Sequence, residues 1–195
     1  MKVIVLSCNT GEGHNTAGNA IIEGMHARGV EADMVNALAL MGVKRSKLIC
    51  GTYIKMVRKI PALFGFIYNL ALLTSTHRFK SVLYYVNKPS QDKLYDYIVQ
   101  NDHDTVVLPH LFPAETITSI RKNKAITNFK CSAIATDYTC IPFTEEVQGD
   151  RYVIPSDDLC PAFTRWGIPK ERLYPLGIPV DQSFENPPDK QESLR

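Results

Sequence analysis

The chain has 195 residues, of which 45% are apolar and 22% charged, proportions that exclude a disordered or fibrous polypeptide and suffice for one well-buried domain carrying an elaborated insertion. The net charge of +2 hides an uneven distribution: from Met34 to Gln91 there is no Asp or Glu, while Lys44, Arg45, Lys47, Lys55, Arg58, Lys59, Arg78, Lys80 and Lys88 all fall there. The cysteines Cys8, Cys50, Cys131, Cys140 and Cys160 are odd in number, widely spaced and without a C-x-x-C pair, which argues against a disulfide framework or zinc site; with no signal-peptide pattern at the N-terminus, a reducing cytoplasm is expected.

Residues 2–6 form a continuous β-branched apolar run, the pattern of a strand buried on both faces in a parallel sheet. After the loop around Gly11 and Gly13, Ala17, Ala20, Ile21, Gly24 and Met25 recur at helical spacing, predicting a helix over 17–28 that Gly29 ends. A short strand at 31–35 completes a βαβ unit. Further strands are predicted at 105–108, 131–136, 151–154 and 172–176, with helices at 114–122 and 157–166. This alternation predicts an α/β, doubly wound parallel sheet. The interval from about 40 to 101 breaks it. That interval is helical in pattern, basic and apolar, interrupted by Pro61 and Pro89, and reads as an insertion. The polar tail 184–195 reads as a frayed end or linker stub.

Between the first strand and helix lies Ser7-Cys-Asn-Thr-Gly-Glu-Gly-His14. Backbone N–H groups and the helix dipole favour an anion at such a junction, but the string is neither a Walker A loop nor a full dinucleotide fingerprint. A plain strand-to-helix turn accounts for the spacing equally well, and a flavodoxin-like FMN or nucleotide loop is a further reading.

The string Gly11-Glu-Gly-His-Asn-Thr-Ala17 resembles the segment that opens members of the monogalactosyldiacylglycerol synthase and processive diacylglycerol glucosyltransferase family. The resemblance continues through Ala17-Gly-Asn-Ala-Ile21, Val107-Leu-Pro-His110, Ala135-Thr-Asp-Tyr-Thr-Cys-Ile-Pro-Phe143 and Leu176-Gly-Ile-Pro-Val-Asp181. It implies a Rossmann-like half of a GT-B fold, with residues 1–183 as the N-terminal, acceptor-side and membrane-side domain and the C-terminal nucleotide-sugar domain absent from this sequence. The implied activity is inverting transfer of a hexose from a UDP-sugar, a co-substrate, to diacylglycerol, with no metal or other cofactor. The sequence departs from the family at Ser156, where members often carry histidine.

Within this frame His14, at the mouth of the Gly loop, and Asp137, just past a strand's carboxyl end, are the catalytic candidates. Gly11, Gly13, Asn15, Thr16 and His110 are candidates for substrate binding, with capping or loop roles as the alternative for Asn15, Thr16 and His110.

The apolar run 60–73 is about 14 residues long, too short to span a bilayer. Its proline, its asparagine and its basic flanks suggest an interfacial segment in which Leu63, Phe64, Phe66, Ile67 and Tyr68 meet lipid tails while Lys55, Arg58 and Lys59 meet anionic headgroups. A buried core helix is the competing reading. The expected location is the inner face of the cell membrane, peripherally bound; nucleic acid is not an expected partner. A non-catalytic lipid-binding module is the rival to an enzyme.

Overall fold

The computed structural model describes residues 1–8, 12–74, 90–124 and 128–184; of residues 41, 43, 45 and 71–74 it describes the backbone alone. Gly11, Arg78, Lys80, Lys88, Pro89 and most of the polar tail lie outside the described residues.

Six strands form one parallel sheet: β1 (Lys2–Ser7), β2 (Glu31–Asn36), β3 (Thr105–Leu108), β4 (Lys130–Ile134), β5 (Arg151–Ile154) and β6 (Leu173–Pro175). Their order is β2-β1-β3-β4-β5-β6, and every neighbouring pair is parallel. This is the predicted doubly wound class. β1 sits inside the sheet, and its residues from Val3 to Leu6 are fully buried, as a β-branched run flanked by strands on both sides requires.

Successive β1 residues point to opposite faces and seed two cores. Val3 and Val5 join Ala32, Val107 and Ile134 beneath α1 (Glu12–His26), through its Ile21, Ile22 and Met25. Ile4 and Leu6 join Val106, Leu108 and Ile154 on the other face. There they pack with Leu94 and Ile98 of α4 (Gln91–Gln100), Ala114, Ile117 and Ile120 of α5 (Leu111–Asn123), and Phe163 of α6 (Cys160–Arg165). Each fully buried aliphatic side chain of this kind contributes about 1.5–3 kcal/mol relative to exposure. Beyond α1, Val107, Ile134 and Val153 line an open groove of about 790 Å³ on the first face.

Several element bounds differ from the sequence expectation. α1 starts at Glu12 rather than residue 17, so Gly13, His14, Asn15 and Thr16 belong to the first turns of the helix. The acidic Glu12 suits the positive end of the helix dipole, which apolar periodicity does not register. The helix runs to His26, and the turn after it closes with Gly29 at φ +71°, the left-handed conformation glycine favours. Gly18 has a different purpose: a Cβ there would stand 2.8 Å from Met34 Cε and 3.2 Å from Val5 Cγ1, so its absence lets α1 lie close on the sheet.

β4 ends at Ile134, two residues earlier than expected, which puts Thr136 and Asp137 in the turn beyond the strand. The expected helix over 157–166 divides into a 3-10 turn, Asp157–Leu159, and the short α6, which opens with Pro161 near its start. The insertion is helical, with α2 (Val43–Lys59) and α3 (Pro61–Thr74) preceding α4. Pro61 is the first residue of α3, where its missing N–H costs nothing. All five cysteines are free and buried.

Candidate functional site

β1 is flanked by β2 on one side and β3 on the other, and the chain leaves β1 for α1 on one face of the sheet and β3 for α5 on the opposite face. Two connections diverging from adjacent strands open a crevice at their carboxyl ends, which is where doubly wound folds take ligands. His14 enters this crevice from the first turn of α1, and His110 enters it from the junction of β3 and α5. Their rings meet edge to face, 4.4 Å between centroids at 62°.

A cavity of about 50 Å³ lies here, lined by both histidines, Pro109, Thr136 and Asp137 among others. Its remaining walls are mostly apolar, including Leu108, Ala114, Ile134 and Phe163, and among the described residues no Lys or Arg lines it. Asp137 is solvent-exposed at its rim.

The hydrogen bonds fix His14 closely. Its Nδ1 lies 2.8 Å from the Pro109 carbonyl oxygen and 2.9 Å from Thr136 Oγ1. A carbonyl only accepts, so Nδ1 carries the hydrogen and donates it, shared between the two oxygens. His110 has the reverse arrangement. It is the N-cap of α5, and its Nδ1 accepts the backbone N–H of Phe112 at 3.0 Å. Burial, and then the charge of His14 beside it, push His110 down to about 3.

Of the other predicted binding residues, Gly13, Asn15 and Thr16 are not in the cavity wall. Asn15 Oδ1 instead accepts from Ser7 Oγ at 2.5 Å, tying α1 to the end of β1. Gly13 has no left-handed backbone, and a Cβ there would touch nothing within 4 Å. Gly11 lies outside the described residues. Thr136 and the Pro109 carbonyl were not among the sequence candidates. Thr136 was legible as the neighbour of Asp137 past a strand end, whereas a main-chain carbonyl has no side-chain signature.

The insertion stands against this site. Cys50 of α2 packs with Cys8, Leu38 and Phe112, next to the α5 N-terminus. Burial pushes the phenols of Tyr53 and Tyr68 up, and the charge of Asp137 adds to both shifts, which places the α2–α3 pair on the Asp137 side. The predicted membrane residues divide into two groups. Lys55, Arg58, Lys59, Leu63, Phe66 and Ile67 are exposed, with Phe66 at 65%, and Ile60 and Leu70 join them. Phe64 and Tyr68 turn inward instead: Phe64 meets Tyr53 edge to face at 5.9 Å and lies 6.3 Å from Tyr68. No described helix is long and apolar enough to cross a membrane. Among the described residues, no group of His, Cys, Asp and Glu side chains is arranged to hold a metal ion.

No curated protein and no solved structure matches the chain significantly. A family model described as monogalactosyldiacylglycerol (MGDG) synthase does match, over residues 14–180. That span begins at His14 and takes in the β3–α5 junction, the turn at Thr136 and Asp137, and the helical insertion. The chain therefore belongs to the monogalactosyldiacylglycerol synthase family, and its fold is that of a glycolipid glycosyltransferase domain.

Proposed function

We propose that this domain presents diacylglycerol for inverting transfer of a hexose from a UDP-sugar at a membrane surface. The observation that carries the reading is the cavity at the sheet's switch point, which His14, His110 and Asp137 all line. In this reaction the free hydroxyl of diacylglycerol gives its proton to His14 as its oxygen bonds to the anomeric carbon. The bond from that carbon to the terminal phosphate oxygen of UDP breaks, and its electron pair leaves with UDP. Attack opposite the leaving group inverts the configuration. The Asp137 carboxylate favours the positive charge that develops on His14 and on the sugar. The nucleotide sugar is a co-substrate held by a second, nucleotide-binding domain, and no further cofactor takes part.

The exposed apolar side chains of α3, flanked by Lys55, Arg58 and Lys59, support docking on anionic lipid, since each basic residue near such a surface adds roughly 1 kcal/mol. Because this hairpin stands on the Asp137 side, a docked domain holds its cavity near the lipid headgroups. On this reading the domain binds peripherally at the inner face of the cell membrane.

The test is a transfer assay in which the chain, together with a nucleotide-sugar-binding domain, meets vesicles containing diacylglycerol and labelled UDP-glucose or UDP-galactose. Labelled hexose is expected in the lipid extract. With both domains folded, a lipid fraction left unlabelled by UDP-glucose and by UDP-galactose alike would sink the proposal.

A further inference from the structure

The two faces of the sheet are covered unequally. Leu94, Ile117 and Phe163 bring α4, α5 and α6 against one face, whereas on the other α1 alone among the described helices packs, over β1 and β2. An all-parallel sheet is normally covered on both faces. The groove of about 790 Å³ occupies the strip left open over β3, β4 and β5, with Ile21 and Met25 of α1 as one wall. The chain leaving β6 borders it at the carboxyl end of the strands: the Gly177 N–H donates to the Ile154 carbonyl at 3.2 Å, Leu176 and Pro179 line the groove, and the 3-10 turn Gln182–Phe184 reaches α1.

Strand register gives the floor of this groove a polarity. Thr105 stands beside Lys130, Val107 beside Ser132, Ser132 beside Arg151, and Ile134 beside Val153. Side chains alternate between faces, so all seven share the face that α1 leaves open. Lys130, Ser132 and Arg151 hold the amino-end corner, while Val107, Ile134 and Val153 form the floor toward α1 and the carboxyl end. Asp104 and Asp150 also line the groove, but Asp104 is engaged by the Met1 ammonium at 3.7 Å and the Thr105 hydroxyl at 2.7 Å, and Asp150 by Arg121 at 2.6 Å. Among the described residues, Lys130 and Arg151 have no acidic side chain within ion-pair distance. Both are exposed, and the Arg151 guanidinium lies over the Tyr174 ring, 6.0 Å from its centroid.

We propose that this groove is a binding site for the anion of a single-chain fatty acid, with its carboxylate on Lys130 and Arg151 and its chain on the apolar floor beside α1. A guanidinium offers a carboxylate two parallel N–H donors, and the Ser132 hydroxyl on the neighbouring strand adds another. A singly charged head suits the corner, because the two aspartates oppose a phosphate of higher charge. The volume falls within the range of about 300–1,000 Å³ that small ligands occupy. The α2–α3 pair stands on the Asp137 side, at the carboxyl ends of the strands, whereas the two cations stand at the amino ends, so the head is reached from solution and not from a docked bilayer. Ile134 and Val153 line the His14 cavity as well, and an occupied groove therefore backs onto that cavity.

Amide NMR of the whole chain, titrated with decanoate below its micelle concentration, tests the site. Saturable shifts are expected at Ile21, Val107, Ser132 and Val153, with uncharged decanol and short-chain butyrate each binding at least about tenfold more weakly, and with added salt weakening decanoate. Lys130→Gln combined with Arg151→Gln should melt as the parent does and lose about tenfold in affinity. Ser132→Phe, on the half-buried middle of the floor, should fill the groove and abolish the response. Phe66→Asp with Ile67→Asp should leave decanoate binding as it was, since α3 is the other exposed apolar surface on which a fatty acid could settle. Shifts that never saturate or that are confined to α3, equal binding of decanol, or undiminished affinity in the Lys130 and Arg151 double variant would each overturn the proposal. So would loss of decanoate binding when the nucleotide-sugar domain is added, which would assign the groove to a contact between domains.

Discussion

Among the described residues His14 hydrogen-bonds only through Nδ1, so its removal takes away a proton acceptor while leaving the sheet and its two cores intact. A positioned general base is worth about 10²–10⁴-fold in rate. His14→Ala, assayed with the nucleotide-sugar domain present, is accordingly expected to lower turnover about a hundredfold or more with little change in melting temperature. Asp137→Asn keeps the shape of an exposed side chain and deletes its charge, and a similar loss in turnover is expected. Turnover within a few-fold of the parent in both variants would show that neither side chain acts in the chemistry. Both residues were legible in the sequence because each directly follows an apolar strand or its glycine-bearing connection. Thr136 was legible only as a neighbour. The Pro109 carbonyl was hidden, because its contribution depends on where the backbone of β3 ends relative to α1, and that is a tertiary relation between residues 95 apart.

At the scale of elements, β1 and β3 were the most legible, because the unbroken apolar runs at residues 3–6 and 106–108 leave few alternatives. The start of α1 was not, since its first turn contains Gly13 and the polar residues His14, Asn15 and Thr16 and bears no apolar periodicity. Two of the three glycines of α1, Gly13 and Gly18, therefore behave differently. Gly13→Ala, with open space around the new Cβ, should keep or slightly raise stability, by up to about 1 kcal/mol. Gly18→Val drives methyl groups into Met34 and Val5 and should cost about 1–3 kcal/mol. Thermal melts of the two variants check this, and equal melting temperatures would contradict the close packing of α1. The helical insertion was foreseen, but not which side of α3 faces inward, because a helix apolar almost all round carries no directional signal. The structure turns Phe64 and Tyr68 toward Tyr53 and leaves Phe66 and Ile67 outside. Phe66→Asp with Ile67→Asp should thus preserve folding and reduce flotation with anionic vesicles at least about tenfold, given about 1.5–3 kcal/mol for each apolar side chain withdrawn from lipid. Salt should weaken the parent's binding as well. Undiminished flotation of the double variant would remove α3 from the membrane contact.

Across the molecule, one charged fastening joins three parts of the fold. Arg121 of α5 reaches Asp150 with two hydrogen bonds, 3.1 and 2.6 Å, and also donates to the carbonyls of Gln148 and Phe129. Asp150 in turn accepts the Cys131 N–H of β4 at 2.7 Å, just before β5 begins. Burial pushes the Asp150 carboxyl up, but the hydrogen bonds from Arg121 and Cys131 and the charges of Arg121 and Arg172 outweigh it and hold the group below the usual carboxylate range. A carboxyl depressed in the folded state stabilises fully above its unfolded value near 3.9, and that contribution is lost as pH falls through the lower folded value. Asp150→Asn should cost about 1–2 kcal/mol at neutral pH, reduced from the full strength of a charged pair because Asp150 is partly exposed. The gap between parent and variant should close below about pH 4, as followed by urea midpoints. A gap independent of pH would assign the cost to shape alone.

The five buried thiols turn the same molecule into its own clock. Burial pushes Cys131 and Cys140 up to about 12 and raises Cys8 further, so almost no thiolate is present while the native packing holds. An alkylating reagent in excess then reaches Cys8, Cys131 and Cys140 only during openings, burial alone shields Cys50, and each of the four reports the opening of the part in which it sits. Cys50 lies in α2 of the insertion, Cys8 beside the site, and Cys131 in the middle of the sheet. Mass spectrometry of alkylated peptides should find Cys50 modified first and Cys131 last. Membrane vesicles, by holding the α2–α3 pair in place, should slow Cys50 while leaving the rate at Cys131 unchanged.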